Sequence, residues 1–187
     1  MKAIGCTQPH AGFIVSGRQI WLTRQYKTEH RGDLAIYASK KIENEQRDIC
    51  RTDPFATWVP HIMMLPRSRI VGVVELVACK MAQQVYQMEI LRNFKAFGRQ
   101  TDLGTWKDGW WAYEFRNPRR LLSPIECEAP RNHMWDLKPL IEDEVRDQLK
   151  HADYLRAKKT ILMEQESPDP SLTALAASSE PQNPPNV

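Results

Sequence analysis

The chain has 187 residues, enough for one domain with appendages, and its 42% hydrophobic and 26% charged residues exclude a fibrous or low-complexity protein. No run approaches the ~18 apolar residues of a membrane span; the most apolar stretch, 70–79, is about half that length and contains Glu75. The net charge of +3 is unevenly spread: residues 160–187 hold four acids and no Lys or Arg, so residues 1–159 carry 26 basic against 19 acidic groups, a net +7 that suits a polyanionic partner.

In chain order, residues 2–7 read as a first strand, Gln8-Pro9-His10 as a turn, and 10–16 as a short helix ended by Gly17, which accepts the left-handed conformation. Residues 20–24 alternate as a strand, with Ile20 and Leu22 on one face and Trp21 and Thr23 on the other. A turn over 29–33 leads into a buried strand, 34–38. Ser39 is a plausible cap for a charged helix reaching Cys50. Asp53-Pro54 and Val59-Pro60 mark irregular chain before the strongest strand, 70–78, in which Gly72 signals a bulge or a close backbone approach.

Residues 80–97 predict a helix, with Met81, Val85, Met88, Leu91 and Phe94 on one face and Gly98 at its end. A Trp- and Gly-rich loop precedes a strand over 110–115, turned out by Asn117-Pro118. Further strands are expected over 121–128 and 134–137, and a last helix over 138–159 with Pro139 in its first turn. From 160 onward the chain reads as a disordered tail; from Glu166 it holds five of the 13 prolines. Short strands broken by helices, with no regular βαβ alternation, predict an α+β fold: a small mixed β-barrel over 1–137, with a helical insertion at about 80–98 and flanking helices.

Cys6, Cys50, Cys79 and Cys127 form no Cys-x-x-Cys pair, and no leader-like segment precedes them. Reduced thiols and a cytoplasmic location are expected. Cys6 and His10 have no second pair at ligand spacing, so neither metal nor cofactor is expected. A phosphate-binding Gly-rich loop and a serine-nucleophile elbow are both missing from the sequence. Arg18, Arg24, Arg31, Lys40 and Lys41 could converge into a basic cleft, with Trp21 as a stacking surface for a base. Glu75, alone in an apolar strand, calls either for a cleft partner or for a place on the outward face.

Several segments, taken together, resemble one family. Gln8-Pro9, Ser16-Gly17, Arg24 and Arg31 through Lys40 (RGDLAIYASK) are similar to the ASCH domain signature, a PUA-like family. So are Leu65-Pro66-Arg67 followed by 70–76, then Trp111 through Phe115 with Asn117-Pro118, and Trp135. The resemblance implies a PUA-like barrel with a cleft between the first helix and neighbouring strands, and RNA as a ligand. At least one small member of the family looks like an amidase acting on an acetylated cytidine, and nuclease activity is suggested for others.

The departures from the pattern bear on function. The family's Gly-x-Lys-x-x-Glu-x-Arg is here Gly17-Arg18-Gln19-Ile20-Trp21-Leu22-Thr23-Arg24, so Gln19 replaces the Lys and Leu22 the Glu. Gln19 has no titratable proton for the work of the Lys. The family His before Ala-Ser-Lys is Tyr37. The resulting expectation is a non-catalytic domain for RNA or a nucleotide-like ligand, held by Gln8, Pro9, Ser16, Gly17, Arg18, Gln19, Trp21, Arg24, Arg31, Ser39, Lys40, Arg67 and Glu75. The alternative is a hydrolase, an amidase on an acylated base or a ribonuclease, with Lys40, Thr23, Glu75 and Tyr37 as candidate groups. The last helix and tail are a candidate docking arm for a protein partner.

Overall fold

The chain is described by a computed structural model for residues 1–53, 55–59, 61–103, 106–130 and 133–166. The first compact unit, Met1–Leu149, is built on one mixed sheet of six strands. These are β1 (Lys2–Cys6), β2 (Trp21–Arg24), β3 (Gly32–Ala38), β4 (Arg69–Met81), β5 (Trp111–Glu126) and β6 (Met134–Asp136), in the order β2-β5-β4-β3-β1-β6. Among the described residues only β1 and β3 pair in parallel. A parallel pair needs a crossover connection, and residues 7–31 supply one, carrying α1 (His10–Val15) and β2.

The crossover lays α1 on the inner face of the sheet. Ile14 and Val15 pack there with Ile4, Leu22, Leu34, Ile36, Val74, Leu76, Tyr113 and Phe115. Gly72 makes this possible, as expected of it: a Cβ there would lie 2.6 Å from Val15 and 2.7 Å from the Arg119 carbonyl oxygen. Gly17, at φ +74°, ends α1 by turning the chain so that the Arg18 and Gln19 amides both donate to the Phe13 carbonyl. The outer face buries Ala3, Ala35, Tyr37, Ile70, Val73 and Trp135 against Val145 and Leu149 of α5 (Pro139–Glu166).

The sheet curls into a half-barrel. β2 and β1 are separated by three strands, yet Arg24 of β2 donates to the Gly5 carbonyl of β1 at 2.7 Å. Tyr113 of β5 donates its hydroxyl proton to the Tyr26 carbonyl (2.6 Å), and its oxygen meets His133 Nε2 at 2.9 Å, just before β6. The interior is therefore closed off by polar side chains where no backbone ladder joins the strands.

Several boundaries differ from expectation. Asn117-Pro118 does not end a strand: β5 runs straight through. The register steps from Arg116, opposite Glu75, to Arg119, opposite Val73, so one extra residue bulges out. Asn117 takes the left-handed conformation (φ 46°), which Asn tolerates, and the bulge absorbs the missing N–H of Pro118. The helix expected from Ser39 begins later, as α2 (Asn44–Ile49), capped by Glu43 with Gln46 in a reciprocal capping box.

A short helix, α3 (Phe55–Trp58), interrupts the expected irregular stretch. The insertion helix α4 (Ala82–Thr101) passes through Gly98 and breaks instead at Asn93, whose φ of −158° is extended. Its apolar face is buried only at its start, by Ala82 and Val85; Met88 and Leu91 are exposed, and the Phe94 side chain lies outside those described. α5 continues to Glu166, beyond the expected end at 159. From Lys150 it belongs to a second unit, in which Tyr154 and Leu155 are exposed. The rest of the expected tail, 167–187, lies outside the described residues.

Candidate functional site

The sequence placed one site in this region, and the structure divides its residues among several surroundings. A cleft of about 220 Å³ opens between β1, α1, β2, α2 and the loop before β5. Cys6, His10, Leu22, Thr23 and Arg24 line it from within, and Glu43, Glu45, Lys107 and Trp110 stand on its rim. On the other flank of α1, Gln8, Pro9, Ser16 and Arg18 line a smaller pocket of about 80 Å³ walled by Phe13 and Trp58. There Gln8 is a brace: its Nε2 donates to the Pro66 carbonyl (2.8 Å) and its Oε1 accepts from the Gly12 amide (3.1 Å). Ser16 donates back to the Phe13 carbonyl, and Arg18 lies over the Trp58 ring at 5.0 Å. Gly17 and Gln19 border a third hollow beside Pro118.

The basic convergence expected from the sequence does not form. Of its five members only Arg24 lines the cleft. Arg31 is turned onto the Thr28 and His30 carbonyls, Lys41 pairs with Glu43, and Lys40 is exposed, as is Arg67. Ser39 is half-buried beside β1, its amide donating to the Cys6 carbonyl. The side chains that line the cleft are two cationic (Arg24, Lys107) and two acidic (Glu43, Glu45), so the cleft is charge-balanced.

Trp21 is not a stacking surface. It is 4% exposed and packs with Ala82, Val85 and Ala112, because its parity on β2 turns it away from Leu22 and Arg24. Tyr37 is packed edge-on against Trp135 on the outer face, 5.8 Å between ring centres, and cannot serve the cleft as a base. Glu75 follows Val73 by two residues and shares that outer face, opposite Asp33 and Arg116; it is the outward-facing strand residue, not a partner of Arg24.

The cleft floor is organised by residues the sequence undervalued. His10, the first residue of α1, is 4% exposed and meets Gln19 Oε1 through Nδ1 at 3.1 Å. Gln19 is fully buried and donates its Nε2 proton to the Trp21 carbonyl at 2.9 Å. Burial holds the imidazole down to about 4; the Gln19 contact opposes this and the nearby Arg24 charge adds to it. His10 is therefore neutral at pH 7.

Arg24 donates Nη2 to the Gly5 carbonyl and to Cys6 Sγ (3.4 Å), and Nη1 to the Thr23 carbonyl (3.3 Å). Three of its five N–H groups are thus committed, leaving two. Among the described residues no carboxylate pairs with it. Burial raises the Cys6 thiol, so Cys6 is a neutral neighbour. Trp110 stands half-buried at the mouth, with the Lys107 ammonium over its ring at 4.9 Å.

The signal for His10 was present in the sequence as a histidine directly after the Gln-Pro turn and nine residues before Gln19. Only the fold shows that the two residues touch.

No protein-family model matches the chain, and no curated protein matches it. Among solved structures it is similar to the crystal structure of ASCH from Zymomonas mobilis, at 14% identity and a TM-score of 0.50, covering 78% of this chain and 93% of that one. A crystal structure of a serine-to-alanine variant of the same bacterial protein matches at 14% identity and a TM-score of 0.48, covering 78% of this chain and 94% of that one. The mixed half-barrel, its crossover helix and this structural likeness together give the chain an ASCH-type fold.

Proposed function

We propose that the cleft beside α1 is a non-catalytic binding site for a single nucleobase, presented as a nucleoside or as an unpaired nucleotide of RNA. The observation that carries this reading is Arg24: a guanidinium without a carboxylate partner among the described residues, held by carbonyls at the floor of a cleft. A cation kept there without a counter-ion is complemented by an electron-rich ligand atom. At about 220 Å³ the cleft is below the ~300–1,000 Å³ of pockets for drug-sized ligands. It suits one heterocycle and not a folded strand, and Trp110 at its mouth is placed to stack on a base. Balanced charge on the walls disfavours phosphate as the buried group. Replacement of a family Lys by Gln19 and of a Glu by Leu22, now core residues, favours binding over chemistry.

Calorimetric titration with the four ribonucleosides and with a short unstructured RNA tests this reading. Saturable binding with shallow salt dependence is expected, weakened at least about tenfold in Arg24→Ala, a cost in line with losing a hydrogen bond to a charged group. Absence of binding to every nucleoside and RNA would remove the proposal. A second reading, hydrolysis, is favoured by one observation: the neutral His10 and Thr23 line the same cleft. Release of acetate from acetylated cytidine, or RNA cleavage abolished by His10→Phe, would establish it in place of binding.

A further inference from the structure

We infer that the cleft selects its ligand through a hydrogen-bond acceptor fixed on His10 by Gln19, and that it takes heterocycles presenting a ring N–H beside a carbonyl, the imide or lactam edge found in uracil, over those presenting a bare ring nitrogen there, as cytosine does. The inference rests on the base-binding reading of the cleft.

The argument begins at the Trp21 carbonyl, which can only accept. The Gln19 amide must therefore turn its NH2 group towards it, at 2.9 Å, and this leaves Oε1 facing His10. Oε1 in turn can only accept, so the ring nitrogen opposite it, Nδ1 at 3.1 Å, must carry a proton. A neutral imidazole has one N–H. The ring is neutral because it is buried beside the Arg24 guanidinium, and a second positive charge there would be uncompensated. Nε2 is then a bare lone pair. Among the described residues it receives no hydrogen bond, and His10 lines the cleft.

The same cleft is lined by Arg24, with two N–H groups left over from its structural bonds. On the floor His10 therefore supplies an acceptor and Arg24 a set of donors. A ring N–H adjacent to a carbonyl satisfies both at once. A bare ring nitrogen would set lone pair against lone pair at His10 and leave a desolvated acceptor unpaired, which is the costly half of a lost hydrogen bond. Gln19 is thus a positioning residue for specificity, acting through the tautomer of His10. A lysine at this position has no acceptor atom, so it could not fix the ring this way.

The test compares uridine with cytidine on the full chain, alongside the 15N–1H correlation spectrum of the His10 ring. Expected are an Nδ1–H tautomer, uridine binding at least about tenfold tighter than cytidine, and loss of that preference in His10→Phe. In Gln19→Glu the carboxylate charges the ring and turns Nε2 into a donor, so the preference should move towards cytidine. Should Gln19→Glu not fold, the wild-type spectrum and His10→Phe still decide. Equal binding of the two nucleosides, a preference for cytidine, or an Nε2–H tautomer in wild type would overturn the inference and leave the base-binding reading standing. Binding of neither uridine nor cytidine overturns the inference; only the absence of binding to every nucleoside and to RNA removes the base-binding reading as well.

Discussion

Arg24 and Arg119 stand on opposite faces of one curled sheet and are treated differently. On the outer face Arg119 pairs with Asp33, and Arg116 with Glu114, beside Glu75. On the inner face, the hydrogen-bond partners of Arg24 among the described residues are carbonyls and a thiol. The net +7 of residues 1–159 does not tell paired arginines from unpaired ones. In the folded chain Arg116 and Arg119 are paired with carboxylates where they stand, whereas Arg24, which has no carboxylate partner among the described residues, lines the cleft. The contrast shows that basicity becomes a binding signal only after the local pairs have been subtracted.

The difference can be broken at several points. The largest effect should come from Trp21→Ala. If Trp21 is core, as its burial against Ala82, Val85 and Ala112 indicates, unfolding measurements should show a loss of about 3–5 kcal/mol. Ligand affinity of the protein that remains folded should stay near wild type. A large affinity loss without destabilisation would return Trp21 to the cleft.

Next is the pH dependence of the inner face. His10 titrates at about 4 in the folded chain against 6.5 ordinarily. Between those values the unfolded chain binds a proton that the folded chain refuses, so stability is fully present above 6.5 and falls as pH falls towards 4. The difference corresponds to roughly 3 kcal/mol over that window. Denaturation midpoints measured across it should lose this component of the slope in His10→Phe.

Arg24→Ala removes three hydrogen bonds, two of which tie β2 to β1. A loss of about 1–3 kcal/mol is expected in chemical denaturation, together with the loss of ligand binding. The smallest effect should be that of Arg119→Ala, about 1 kcal/mol or less with binding unchanged, since a partly exposed ion pair contributes little. If Arg119→Ala impaired binding as much as Arg24→Ala, the distinction between the two faces would fail.

Much of the architecture was legible because it depends on local physics. The alternation of β2, the apolar runs of β3 and β4, the glycine that ends α1, and the close approach at Gly72 all follow from residue type and spacing. Boundaries went astray where a tertiary contact outweighed a local signal. Asn117-Pro118 carries every mark of a turn, yet it bulges within β5 because the strand pairs again beyond it. Ser39 is a good cap in isolation, but its amide is held by the Cys6 carbonyl and the helix waits for Glu43.

What the sequence determined by itself is most of the strands and the short first helix. Each of these rests on backbone propensity, hydrophobic period or a short motif. What only the tertiary structure decided is which polar residues share a space. Side-chain parity on a strand sends Trp21, Tyr37 and Glu75 away from the cleft, and the curl of the sheet brings His10, Gln19 and Arg24 together. These are long-range consequences of closure, and no window of neighbouring residues encodes them.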